Sequence, residues 1–127
     1  MRWEGHTALV VDDDAGIRRL ISGLLRSCGF RVLEAQNGLE AVQVYGSYHS
    51  RIALVVTDIE MPVMDGFEAV ARMRALDRDI PILVVSGRIP DGFQPAPRCS
   101  WLSKPFTPAQ LLTSIELALG GPGGGGS

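Results

Sequence analysis

Five short apolar runs recur along the chain, at 8–11, 32–35, 52–56, 82–85 and 101–102, separated by longer stretches of mixed polarity. The runs are aliphatic or β-branched and nearly continuous. A strand with one solvated face alternates apolar and polar positions. A near-continuous run instead marks a strand covered on both faces, as in a parallel sheet between two helical layers. The intervening stretches carry the helical period. Ile17, Leu20, Ile21, Leu24 and Leu25 fall at i, i+3, i+4, i+7 and i+8, which lines one face of a helix. Asn37 with Glu40, Asp65 with Glu68, and Thr107 with Gln110 have the spacing of an N-cap and its third helical residue. Pro108 then stands at the first helical position, where proline is favoured, and Gly120 supplies a stop. The pattern predicts helices over 15–28, 38–49, 66–76 and 108–119.

One connection breaks the alternation. The segment 87–98 contains Pro90, Gly92, Pro95 and Pro97, and a proline inside a helix costs about 3 kcal/mol. A loop or broken turn is expected there. The last residues, 120–127, are glycine-rich, end in GGGGS and read as a flexible tail or linker. The folded unit is therefore expected to be a single domain over 1–119.

Composition adds limits. At 127 residues and 46% hydrophobic positions the chain can bury a core, and disorder is not expected. A net charge of −2 lacks the basic face that direct nucleic-acid binding requires. Cys28 and Cys99 fit no metal or redox spacing and are expected to be reduced, partly buried thiols. The polar N-terminus shows no secretion signal, and no apolar stretch approaches the roughly 18 residues that span a bilayer. The expected location is the cytoplasm, with no membrane contact.

The ends of the strands carry the chemistry. In open α/β sheets ligands bind outside the carboxyl ends of the strands. Asp12, Asp13 and Asp14 follow the first run, Asp58 the third, Ser86 the fourth, and Lys104-Pro105 the fifth. Clustered carboxylates repel one another and call for a cation. A hard ion such as Mg²⁺ suits one or two carboxylates, waters and phosphate oxygens. One carboxylate can attack phosphorus to form an acyl phosphate. The metal, an ammonium and a hydroxyl then share the charge of the transition state.

These residues resemble the response-regulator receiver domain of two-component signalling. The matching pieces are VVDDD at 10–14, VTDIEMPVMDG at 56–66, VVSG at 84–87 and KPF at 104–106. The resemblance implies a flavodoxin-like, doubly wound, five-stranded parallel sheet of order 2-1-3-4-5. The fourth helix of that fold would here be short, irregular or absent. It implies that Asp58 accepts a phosphoryl group from a histidine kinase or histidine phosphotransfer protein, with Mg²⁺ as cofactor. Asp13 would bind the metal directly, Asp12 directly or through water, and the backbone carbonyl of Glu60 would be a further ligand beside Asp58. Ser86 would hydrogen-bond the transferred group. Lys104 would pair with Asp58, and a cis peptide bond would precede Pro105. Such a domain catalyses its own phosphorylation and slow dephosphorylation without being an enzyme for a separate substrate. It reports to a downstream effector protein or domain. Glu60 and Arg88, two positions after Asp58 and Ser86, are expected to tune the lifetime by gating water.

Several residues have plainer readings. Asp14 is expected to cap the first helix, and Asp65 to cap the third beside Gly66, which allows close packing. Met61 and Met64 are expected to pack and shape the loop after Asp58. His6 and His49 receive no role. Trp101 stands where relatives carry a smaller ring that moves on phosphorylation, so it is either a variant switch or a fixed packing residue. Ser86 and Lys104 are 18 positions apart, a few fewer than is usual in the family. The surface built from this region should differ accordingly. A phosphorylation-independent, receiver-like interaction module is the main alternative function. A small phosphatase using Glu60 as general acid is a second.

Overall fold

The computed structural model describes residues 3–88 and 98–120. The five apolar runs form strands β1 (Thr7–Val11), β2 (Arg31–Ala35), β3 (Ile52–Thr57), β4 (Ile82–Ser86) and β5 (Cys99–Ser103). All neighbours pair in parallel, in the order β2-β1-β3-β4-β5. The helices are α1 (Ala15–Ser27), α2 (Gly38–Tyr48), α3 (Gly66–Leu76) and α4 (Pro108–Ala118). The loop or broken turn expected over 87–98, and with it a short, irregular or absent helix between β4 and β5, lies for 89–97 outside the described residues, as do 121–127 of the tail.

Each face of the sheet has its own core. Ala8, Val10, Leu54, Val56, Leu83 and Val85 meet Ile21 and Leu25 of α1 and Leu111 and Ile115 of α4. Leu9, Val11, Val55, Ile82 and Val84 meet Ala41 and Tyr45 of α2 and Ala69 and Met73 of α3. Successive side chains of one strand thus enter opposite cores, which explains the unbroken runs. The outer strands β2 and β5 are mostly half-buried.

The helix starts follow from local chemistry. Asp14, Asn37, Asp65 and Thr107 each accept a hydrogen bond from the backbone N–H three residues on. Gln110 also reaches back to the Thr107 N–H at 2.9 Å, completing a capping box. Gly120, at φ 92°, ends α4. Both cysteines are free and half-buried.

The chain leaves β1 towards one edge of the sheet and leaves β3 towards the other. A crevice opens where the strand order reverses, outside the carboxyl ends of β1 and β3.

Candidate functional site

Sheet register brings the polar residues to one level. The ladder continues one bond past several strands. The Asp12 N–H donates to the Ala35 carbonyl at 3.2 Å, the Asp58 N–H to that of Val11 at 3.0 Å, and the Lys104 N–H to that of Ser86 at 2.9 Å. Asp12, Asp58, Ser86 and Lys104 therefore stand together at the crevice because each follows or ends a strand of matched length. Gln110 and Thr107 hold the start of α4 close behind Lys104, and the Lys104–Pro105 peptide is cis, as the resemblance implied.

The Lys104 ammonium lies 3.0 Å from Asp12 Oδ2 and 3.0 Å from Asp58 Oδ2. Asp12 and Asp58 are buried and Asp13 is exposed. One oxygen from each of the three carboxylates falls within 4.8 Å of the others. Burial pushes the Asp12 carboxyl above the usual range. The Asp14 N–H, and the hydrogen bond and charge of Lys104, offset part of that shift. Burial alone would lower the Lys104 pKa. Its hydrogen bonds to Asp58 and Asp12, with their negative charges, outweigh burial and raise it, so the ammonium stays charged. One ammonium does not neutralise three carboxylates. This all-oxygen set, half open to water, fits a small hard dication such as Mg²⁺.

The loop after β3 holds Asp58 from behind. Asp58 Oδ1 accepts from the Ile59 N–H at 2.6 Å, and the Thr57 hydroxyl donates to the Asp58 carbonyl at 2.8 Å. The Gly66 N–H donates to the Ile59 carbonyl at 2.9 Å. A Cβ on Gly66 would collide with the Asp58 carbonyl oxygen and the Ile59 Cα. Gly38, at the start of α2, donates to the Met64 carbonyl at 3.0 Å and is equally intolerant of a Cβ. Met64 is buried and Met61 packs against the same core, as expected of loop-shaping residues. Asp65 caps α3 and stays out of the site.

On the β4 side a cavity of about 350 Å³ is lined by Asp58, Glu60, Ser86, Gly87, Arg88 and Lys104. Among the described residues the buried Ser86 hydroxyl makes only long contacts, 3.3 Å and 3.4 Å, with the Arg88 backbone. Glu60 and Arg88 are exposed. Trp101 does not line this cavity. It pairs in register with Val84 and packs, half-buried, on the core shared by α2 and α3.

Sequence reasoning missed two supports. Thr57, just past the third apolar run, received no role. Arg18 donates from Nη1 to the Asp12 carbonyl at 2.8 Å and from Nε to Glu34 Oε1 at 3.0 Å. The only signal was a basic residue one turn into the helix that follows three aspartates. Its partner on β2 is 16 positions away.

The comparisons agree with this geometry. The profile of the response regulator receiver domain family matches residues 8–116. The chain is 37% identical over 116 residues to the transcriptional regulatory protein PrrA of Mycobacterium tuberculosis, a match covering 87% of this chain and 48% of that protein. It thus spans about half the length of the PrrA relatives. It is 34% identical to the chemotaxis protein CheY of Listeria monocytogenes, over 87% of this chain and 95% of that one. The response regulator protein TrrA from Thermotoga maritima, solved in complex with Mg²⁺-BeF, superposes with a TM-score of 0.79. It is 29% identical and covers 90% of this chain and 99% of its own. The chain belongs to the response regulator receiver domain family, and its function is that of a phosphoacceptor receiver in two-component signalling.

Proposed function

We propose that Asp58 is the phosphoryl acceptor and that the donor is a phosphohistidine on a histidine kinase or phosphotransfer protein. The observation that carries this reading is Lys104 Nζ, 3.0 Å from both Asp12 and Asp58, at the mouth of a three-carboxylate cluster. A carboxylate oxygen of Asp58 forms the new P–O bond while the P–N bond to the donor imidazole breaks. The imidazole departs with the bonding electron pair and takes up a proton. Asp13, Asp12, Asp58 and the Glu60 backbone carbonyl would hold Mg²⁺. When bound, that ion withdraws charge from the phosphoryl oxygens. Lys104 stays charged and moves its hydrogen bond from Asp58 to a phosphoryl oxygen. Ser86, poorly bonded at rest, turns its hydroxyl to another. Glu60 and Arg88 border the cavity through which water would reach the acyl phosphate, which suits a role in setting its lifetime.

The receiver unit is assigned to 1–119 and 120–127 to a tether. We place the exchange in the cytoplasm; among the described residues no helix is long and apolar enough to cross a membrane. The output is a change in population between two surface conformations that an effector reads. Ser86 and Trp101 are the residues assigned to that change.

Incubation with a small acyl-phosphate donor and Mg²⁺ tests the reading by intact-protein mass. A gain of one phosphoryl group is expected, lost in Asp58→Asn and lost without Mg²⁺. No gain, or a gain that persists in Asp58→Asn, overturns it.

A further inference from the structure

Asp13 raises a question of aim. Among the described residues no hydrogen bond or ion pair engages its carboxylate. Its side chain can therefore be directed only by the backbone it stands on. The preceding residue, Asp12, is held through both of its backbone groups. The Asp12 N–H is bonded to Ala35 on β2, and the Asp12 carbonyl accepts from Arg18 Nη1 at 2.8 Å. That carbonyl belongs to the same planar peptide as the Asp13 N–H, so anchoring it fixes the plane from which Asp13 departs.

Arg18 is built for this contact. It lies in the first turn of α1, and helical side chains lean back towards the helix N-terminus, here over the acidic loop. Its side chain is only 15% exposed. Its other bond, Nε to Glu34 Oε1 at 3.0 Å, locks the guanidinium plane and balances its charge. Glu34 sits one residue before Ala35, so the same stretch of β2 grips Asp12 directly and through Arg18.

We infer that Arg18, oriented by Glu34, is a positioning residue that presets the Asp12–Asp13 carboxylate pair for the divalent cation. The inference rests on the proposed metal site. It also makes a prediction opposite to simple electrostatics. A cationic side chain beside a dication site should weaken binding through repulsion, so removing it should tighten Mg²⁺. If Arg18 acts by aiming the carboxylates, removing it should loosen Mg²⁺.

Mg²⁺ titration by isothermal calorimetry separates the two. Wild type should bind Mg²⁺. If it does not, the metal-site reading itself fails. Arg18→Met, which keeps the apolar stem, should bind about tenfold more weakly, the usual scale for losing a group that orients a ligand. Arg18→Lys keeps the charge but cannot fork between the carbonyl and Glu34, and should also bind more weakly. It serves if Arg18→Met does not fold. Arg26→Ala is the control. Arg26 meets the same Glu34 at 3.5 Å but donates nothing to the acidic loop, so affinity should not change. Phosphorylation of the Arg18 variants should approach the wild-type rate at saturating Mg²⁺. Folded Arg18 variants that bind Mg²⁺ as tightly as wild type, or more tightly, overturn the inference. So does a phosphorylation defect that saturating Mg²⁺ leaves in place.

Discussion

The crevice has two unlike halves. On the β1–β3 side the two buried acids are bound several times over, while the exposed Asp13 carboxylate is aimed by its backbone alone. Asp12 has its N–H, its carbonyl and both carboxylate oxygens in hydrogen bonds, and Asp58 has its N–H, its carbonyl and both carboxylate oxygens engaged. On the β4 side the Ser86 hydroxyl has, among the described residues, only two long contacts to the Arg88 backbone, and Glu60 and Arg88 line an open cavity. The acid half is organised before any phosphoryl group arrives. The hydroxyl half has spare bonding capacity that such a group would take up. Preorganisation belongs where charge must be held against repulsion, and slack belongs where the product state must differ from the resting one.

Lys104 spans the two halves, so its loss should have the largest effect. Lys104→Met is expected to slow phosphorylation from a small acyl-phosphate donor by about 100-fold, on the scale of losing one donor to a transition-state oxygen. Ser86→Ala should slow it by about tenfold at most, the net value of an ordinary hydrogen bond. Equal losses in stopped-flow or mass-based rates would erase the distinction between the halves.

Two glycines sharpen the comparison through stability. Gly66→Ala drives a methyl into the backbone behind Asp58 and should destabilise the fold by about 1–3 kcal/mol in urea unfolding. Gly87, on the slack side, has none of the described residues within 4 Å of an added Cβ. Gly87→Ala should shift stability by no more than about 0.5 kcal/mol. Similar shifts in both variants would show that the acid half is no tighter than its neighbour.

The smallest effect concerns the layer that backs the acid half. Tyr45 of α2 is fully buried, and its hydroxyl donates to Asp77 at the end of α3 at 3.4 Å. Burial, then the Asp77 charge and that hydrogen bond, push its pKa from 10.0 to about 12. The folded state holds this proton more tightly than the unfolded state. The associated stability is therefore complete below pH 10 and is lost as pH rises towards 12. Urea midpoints measured across that window should fall more steeply in wild type than in Tyr45→Phe. Parallel slopes would remove Tyr45 as the cause.

Much of this arrangement was legible in order of locality. The strands came from unbroken runs, because both sheet faces are covered. The helix starts at Asp14, Asn37, Asp65 and Thr107 came from caps whose donor lies three residues away. The convergence of Asp12, Asp58, Ser86 and Lys104 was legible for a different reason. Parallel strands of similar length end at one edge, so any residue just past a strand arrives there. Arg18 and Glu34 were not legible. Nothing in a helical arginine and a strand glutamate 16 positions apart marks them as partners until α1 is laid across β2. The two alternatives for Trp101 were equally matched in the sequence. The fold seats it half-buried on the α2–α3 core, a contact that a fixed packing residue and a switch in its resting state would both make.

By itself the sequence determined the alternation of elements, their caps and the set of chemical groups at the strand ends, because periodicity, capping and strand termination act over a few residues. Tertiary structure decided how those groups meet. Lys104 reaches Asp12 across 92 positions and Asp58 across 46, and Arg18 grips the acidic loop through β2. Such contacts depend on sheet order and helix placement, which arise only when both faces of the sheet are buried at once.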